Sequence, residues 1–153
     1  MPVREAVPED EHPLDETLDF MRLLWSIEHG LQKQSKRMEA ELGLTGPQRL
    51  VLRIVGQFPG ISAGALARIV RLHPSTITGI LQRLVKRRLL RRERDPADSR
   101  RTRLWASPSA RQYTRRSSGT VEDTVRRVLA GIGPQHTRGA RAVLTELARA
   151  LNE

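Results

Sequence analysis

One four-residue stretch limits what this chain can fold into: Arg71-Leu72-His73-Pro74 interrupts two segments that otherwise read as helices. Pro74 holds its predecessor extended and suits the first turn of whatever follows. Before this corner, Ser62 offers N-cap chemistry and Leu66, Ile69 and Val70 face inward. After it, Ile77, Leu81, Leu84 and Val85 repeat at helical spacing to about Arg87 and leave Ser75, Thr76, Thr78, Gly79, Gln82, Arg83 and Lys86 on the outer side. Two short helices meeting at a tight turn make a helix-turn-helix. Residues 89–93 and 103–107 then have strand patterns, separated by the turn-rich Asp95-Pro96-Ala97-Asp98-Ser99-Arg100, which predicts a β-hairpin wing.

The flanks are helical. From Asp15, Leu18, Met21, Trp25, Met38 and Leu42 form one stripe and Phe20, Leu24, Ile27 and Leu31 another, so a first helix of roughly 25 residues is apolar over a wide arc. Gly43 ends it, and Thr45 with Gln48 has capping-box spacing, with Pro47 in the first turn of a helix reaching about Gln57. Phe58-Pro59-Gly60 reads as a turn. Beyond the wing, Ser107-Pro108 opens a long polar helix that carries Val121, Val125, Val128 and Leu129 and ends at Gly131 and Gly133. Pro134 starts the last helix, striped by Val143, Leu144, Leu147 and Leu151. A small winged lobe cannot cover both terminal stripes, which predicts a homodimer; the alternative is packing of these helices within one chain.

The expected fold is mainly α (α+β): a winged helix-turn-helix over residues 45–107, dimerisation helices over 14–44 and 108–153, and a flexible acidic arm over 1–13. A chain of 153 residues suits one such domain, and with only five aromatics Leu, Ile, Val and Ala must fill its core. There is no cysteine, so disulfides, thiolate metal ligands and thiol switches are excluded. No apolar run is long enough to cross a bilayer and the acidic start lacks a signal-peptide core, which points to the cytoplasm.

Charge is segregated along the chain. Residues 1–20 hold one arginine against seven acids, whereas residues 62–105 hold twelve Lys and Arg against three acids. A focused basic block calls for a polyanion, and it lacks the apolar stripe of a membrane-surface helix, so double-stranded DNA is the expected partner. In a major groove, Ser75, Thr76 and Thr78 suit hydrogen bonds and methyl contacts and Gln82 suits adenine, while Arg83 and Lys86 suit phosphate. Ser75 and Thr76 equally suit N-terminal capping, and His73 caps or touches phosphate. Arg100 at the hairpin tip suits a narrow minor groove. Asp98 suits either an orienting contact to an arginine or a solvated Asx turn. His12, His29, His73 and His136 are dispersed, and phosphate loops and nucleophile elbows are missing, so no metal, no cofactor and no enzymatic activity is expected.

The element order, the recognition segment with Ser75-Thr76-Ile77-Thr78, and the Asp95-Pro96-Ala97-Asp98-Ser99-Arg100 wing together resemble the multiple antibiotic resistance regulator (MarR) family over residues 18–151. The resemblance implies a homodimeric transcription regulator, usually a repressor, that binds a palindromic operator and releases it when a small aromatic or phenolic ligand binds. The runner-up is a constitutive architectural nucleic-acid-binding protein without an effector. The resemblance also implies a pairing of Asp98 with Arg100, and an effector pocket to which Trp25 gives an aromatic wall, His29 a polar group and Arg49 a cation; core packing of Trp25 and a surface role for Arg49 are the alternatives. Three departures stand out. Ser99 replaces a usual arginine, with Arg101 able to substitute; Gly79 replaces another; and Arg88 replaces a glycine, at a cost of about 1 kcal/mol if its backbone is left-handed.

Overall fold

The computed structural model describes residues 14–115 and 118–153, so the acidic arm expected over 1–13 lies outside the described residues. Helix α1 spans Glu16–Leu42. Asp15 caps it by accepting the Leu18 N–H at 2.9 Å, and Gly43 closes it at φ 76°, a left-handed turn open to glycine at little cost. Helix α2, Gly46–Gln57, starts with the predicted capping box. The Gln48 N–H donates to Thr45 Oγ1 at 3.3 Å, and the Thr45 N–H donates to Gln48 Oε1 at 3.1 Å.

Strand β1, Ile61–Ser62, leads into helix α3, Ala63–Val70, and the corner into helix α4, Pro74–Lys86. Strands β2, Leu90–Arg94, and β3, Thr102–Ala106, form the wing. The sheet is antiparallel in the order β1-β3-β2, with Arg92 opposite Leu104 and Ile61 also opposite Leu104. The strand β1 went unforeseen, because two residues carry no periodicity of their own.

The core lies inside this lobe: Val51, Leu52 and Val55 of α2, Leu66 of α3, Ile77, Ile80, Leu81 and Leu84 of α4, and Leu90 and Leu104 of the wing are buried together. Ile80 joins a face that the sequence reading left to its neighbours. Ile69, expected inside, is 50% exposed, because a helix of eight residues against a small core turns one side inward and Leu66 already occupies it.

The long helix expected from Ser107 is instead broken. A single 3-10 turn at Pro108–Ala110 precedes the short helix α5, Arg111–Thr114, and a separate helix α6 runs Val121–Ile132. Carbonyl groups that a continuous helix would use for its own ladder are taken by α2. Arg49 donates to the oxygens of Tyr113 and Arg115, and Arg53 to that of Thr114. Gly119 then turns at φ 76°, and Thr120 restarts the helix by accepting the Asp123 N–H at 3.1 Å. Helix α7, Pro134–Leu151, closes the chain.

Contacts along α1 tie it to α6 and to the lobe: Gln34 donates to Thr124 Oγ1 at 2.9 Å, and the Gly46 N–H of α2 donates to Ser35 Oγ at 2.8 Å. Further out, Phe20, Trp25, Ile27, Val128 and Leu144 stay exposed on the single chain. Among the described residues no helix is long and apolar enough to cross a membrane.

Candidate nucleic-acid interface

The start of α4 is organised by its cap. His73 Nδ1 accepts the Ser75 N–H at 3.2 Å and lies 2.6 Å from Ser75 Oγ, so His73 and Ser75 hold each other at the corner. Thr78 Oγ1 donates to the Pro74 carbonyl at 2.9 Å, and the residue is exposed. Ser75, Thr76, Thr78, Gln82, Arg83 and Lys86 are all exposed on one side of the helix, while Ile77, Ile80, Leu81 and Leu84 anchor the other. Gly79 lies on the outer side, half-buried, and a Cβ built there meets nothing within 4 Å. No protein neighbour requires that glycine. From residue 71 to 92 the sequence holds no acid, so the outward face of α4 carries only neutral and cationic groups.

Asp95 organises the wing, and it did not figure among the candidate residues. It is buried, pairs with Arg103 at 3.0 Å and accepts the Ala97 N–H at 2.9 Å. The Ala97 amide first, and then Arg103, hold its carboxyl below the ordinary value near 3.8. At the tip, Asp98 Oδ1 accepts the backbone N–H of Arg100 at 3.0 Å, and its Oδ2 lies 3.5 Å from Arg101 Nε. The Asp98 to Arg100 pairing implied by the resemblance is thus an Asx turn through the backbone, and the carboxylate meets the guanidinium of Arg101. The reason is geometric: an aspartate reaches the amide two residues on without moving its chain. Among the described residues Arg92, Arg94 and Arg100 make no ion pair.

Part of the basic block is structural. Arg87 donates to the Gly43 carbonyl and lies over the Tyr113 ring, 5.3 Å from its centroid, which joins the end of α4 to α1 and α5. Arg71 and Arg88 both adopt left-handed backbone, at φ 53° and 59°, one before and one after α4. The strain anticipated for Arg88 is present, and Arg71 carries the same strain unforeseen.

The three effector candidates stand in different surroundings on the single chain. Trp25 and His29 are exposed on α1, Trp25 at 60%, whereas Arg49 is 4% exposed within α2. Besides its carbonyl contacts, Arg49 Nε lies 3.5 Å from Glu122 Oε2. Burial pushes its guanidinium below the ordinary value, with Glu122 opposing. Arg49 is a buried brace between α2 and the end of α5. None of the three residues lines the cavity between α2, β3 and α5 or the one between the corner and the end of α7.

Comparison with known proteins agrees with this architecture. Residues 42–101 match the model of the MarR family. Over 75 residues the chain is 40% identical to the transcriptional regulator HosA of Escherichia coli O111:H-, covering 48% of this chain and 56% of HosA, so it spans little more than half the length of that relative. The fold is similar to the crystal structure of an S. aureus MepR–DNA complex, with a TM-score of 0.69 at 19% identity over 86% of this chain and 97% of the other. It is similar also to the transcriptional regulator PcaV from Streptomyces coelicolor in complex with its natural ligand, with a TM-score of 0.72 at 24% identity over 92% and 99% of the two chains.

Proposed function

We propose that this chain, whose residues 42–101 match the model of the MarR family, is a homodimeric, sequence-specific DNA-binding transcription regulator of the cytoplasm, a repressor that leaves its operator when a small ligand binds. The observation that carries this reading is the acid-free outer face of α4 beside a wing whose Arg92, Arg94 and Arg100 have no ion-pair partner among the described residues. Unneutralised guanidinium groups beside a groove-sized helix attract phosphate, while Ser75, Thr76, Thr78 and Gln82 face base edges. Arg83, Lys86 and Arg101 flank them, His73 fixes the corner, Asp98 shapes the tip, and Gly79 lets the backbone come close to the duplex. The exposed apolar faces of α1, α6 and α7 support assembly with a second copy, and a two-fold dimer requires a palindrome with half-sites about 10 bp apart. HosA, MepR and PcaV add support from their names: a transcriptional regulator, a complex with DNA and a complex with a natural ligand.

Footprinting tests this reading. Two symmetric protected half-sites are expected, and uniform protection of any DNA would favour the architectural alternative. Arg100→Ala should make the slope of log affinity against log salt shallower by about one unit, and Gln82→Ala should alter base preference by about 1 to 3 kcal/mol at one position.

A further inference from the structure

The first turn of α4 leaves little freedom to the protons it carries. Pro74 opens the helix without an N–H, so the Ser75 amide is its first donor, and His73 Nδ1 accepts that amide at 3.2 Å. A ring nitrogen that accepts has no proton of its own. The 2.6 Å contact between the same nitrogen and Ser75 Oγ therefore runs from the hydroxyl to the ring. The opposite assignment, Nδ1–H to Oγ, would leave the amide hydrogen of Ser75 facing a protonated nitrogen. The imidazole is thereby fixed with its proton on Nε2.

Thr78 is committed in the same way, since its hydroxyl donates to the Pro74 carbonyl at 2.9 Å. A hydroxyl holds one proton and two lone pairs. After these bonds Ser75 Oγ and Thr78 Oγ1 can each accept a further hydrogen bond, and neither can donate one without breaking the bond it has. The two residues stand three positions apart on the exposed side of the helix. Thr76 and Gln82 are exposed there too, make no side-chain hydrogen bond among the described residues, and keep both capacities.

In a major groove the donors are exocyclic amines, N6 of adenine and N4 of cytosine, whereas N7 and O6 of guanine, N7 of adenine and O4 of thymine accept. We infer that Ser75 and Thr78 read exocyclic amines and not purine N7, and that His73 is a positioning residue that fixes the hydroxyl proton of Ser75. The inference rests on the proposed operator recognition, and assigns to two of its residues the polarity of the groups they read.

Atom deletion in the operator tests this, with the full chain and its preferred sequence selected from random duplexes. Each adenine or cytosine of a half-site is replaced in turn by purine or pyrimidin-2-one, which lack the amine, and each purine by its 7-deaza analogue, which lacks N7. Two of the amine deletions should each lower wild-type affinity at least fivefold. One of them should cost Thr78→Val less than twofold and the other should cost Ser75→Ala less than twofold, while 7-deaza substitution in the same pairs changes wild-type affinity less than twofold. An adenine read by Gln82 should respond to both deletions, which separates the two kinds of contact within one helix. His73→Ala should reduce the effect of the amine deletion opposite Ser75 to less than twofold, and His73→Asn, which offers an acceptor at the same cap, should restore it. Nitrogen-15 correlation spectra of the imidazole at pH 8 supply a readout that needs no DNA: Nε2 should carry the proton and Nδ1 none. A proton on Nδ1, a 7-deaza loss that disappears in Thr78→Val or Ser75→Ala, an undiminished amine preference in His73→Ala, or an operator indifferent to every amine deletion overturns the inference. Each of these leaves the regulator reading intact, whereas the absence of any preferred sequence overturns both.

Discussion

The winged lobe and the terminal helices use the same apolar residues on the same kind of amphipathic helix, yet their environments are opposite. Helix α4 buries four side chains within 13 residues, whereas α6 and α7, 12 and 18 residues long, bury none. In α1 only Met38, near the lobe, is buried. An apolar stripe is a demand for cover; the lobe meets that demand from within one chain and the outer helices do not. The lobe should therefore behave as a closed folding unit, and the outer helices as surfaces whose stability depends on protein concentration.

The largest expected effect breaks this comparison or upholds it. Leu84 is fully buried, so Leu84→Ala should cost about 2 to 5 kcal/mol in urea unfolding, through lost burial and the cavity left behind. Leu144 is 51% exposed on the single chain, so Leu144→Ala should cost less than about 0.5 kcal/mol in dilute monomer and more as concentration rises. An equally large, concentration-independent cost would mean that α7 is covered within its own chain. Replacing both Leu147 and Leu151 with Glu should next shift sedimentation from dimer to monomer and abolish operator binding while the lobe stays folded. Wild type that sediments as a monomer at micromolar concentration removes the dimer from the proposal.

Smaller effects sharpen the picture inside the lobe. Arg88→Gly should raise stability by about 1 kcal/mol, because glycine adopts the left-handed backbone at φ 59° without a Cβ penalty. A fall in Tm would mean that the arginine side chain has a structural contact. The smallest effect is one of pH. The folded state holds Asp95 below its ordinary value near 3.8, so its contribution is complete above about pH 4 and is lost as pH falls through the lowered value. Amide exchange in the wing should accelerate on acidification below that point, and Asp95→Asn should flatten the profile.

Local chemistry made much of this fold legible. The caps at Thr45 and Ser62 were both read from residue type and position, and both form. The break after α5 was not legible, since its cause, the capture of carbonyl groups by Arg49 and Arg53, comes from residues more than sixty positions away. The same separation hides the burial of Arg49, whose identity alone suits either a ligand contact or a place on the surface. The exposed side of α4 could be named from sequence because an acid-free run of polar residues opposite an apolar stripe is visible in one dimension. The cavity between α2, β3 and α5 could not, because those elements meet only in the folded chain.

The exposure of Trp25 also makes the protein its own optical reporter. It is one of two tryptophans, 60% exposed on α1, while the other, Trp105 of β3, has an indole N–H shielded from solvent and without a hydrogen-bond partner among the described residues. The shielded indole should emit at shorter wavelength and resist quenching by iodide, and the exposed one should emit further to the red and quench freely. Two colours from one unlabelled chain would then separate what happens at the wing root from what happens on the outer helices.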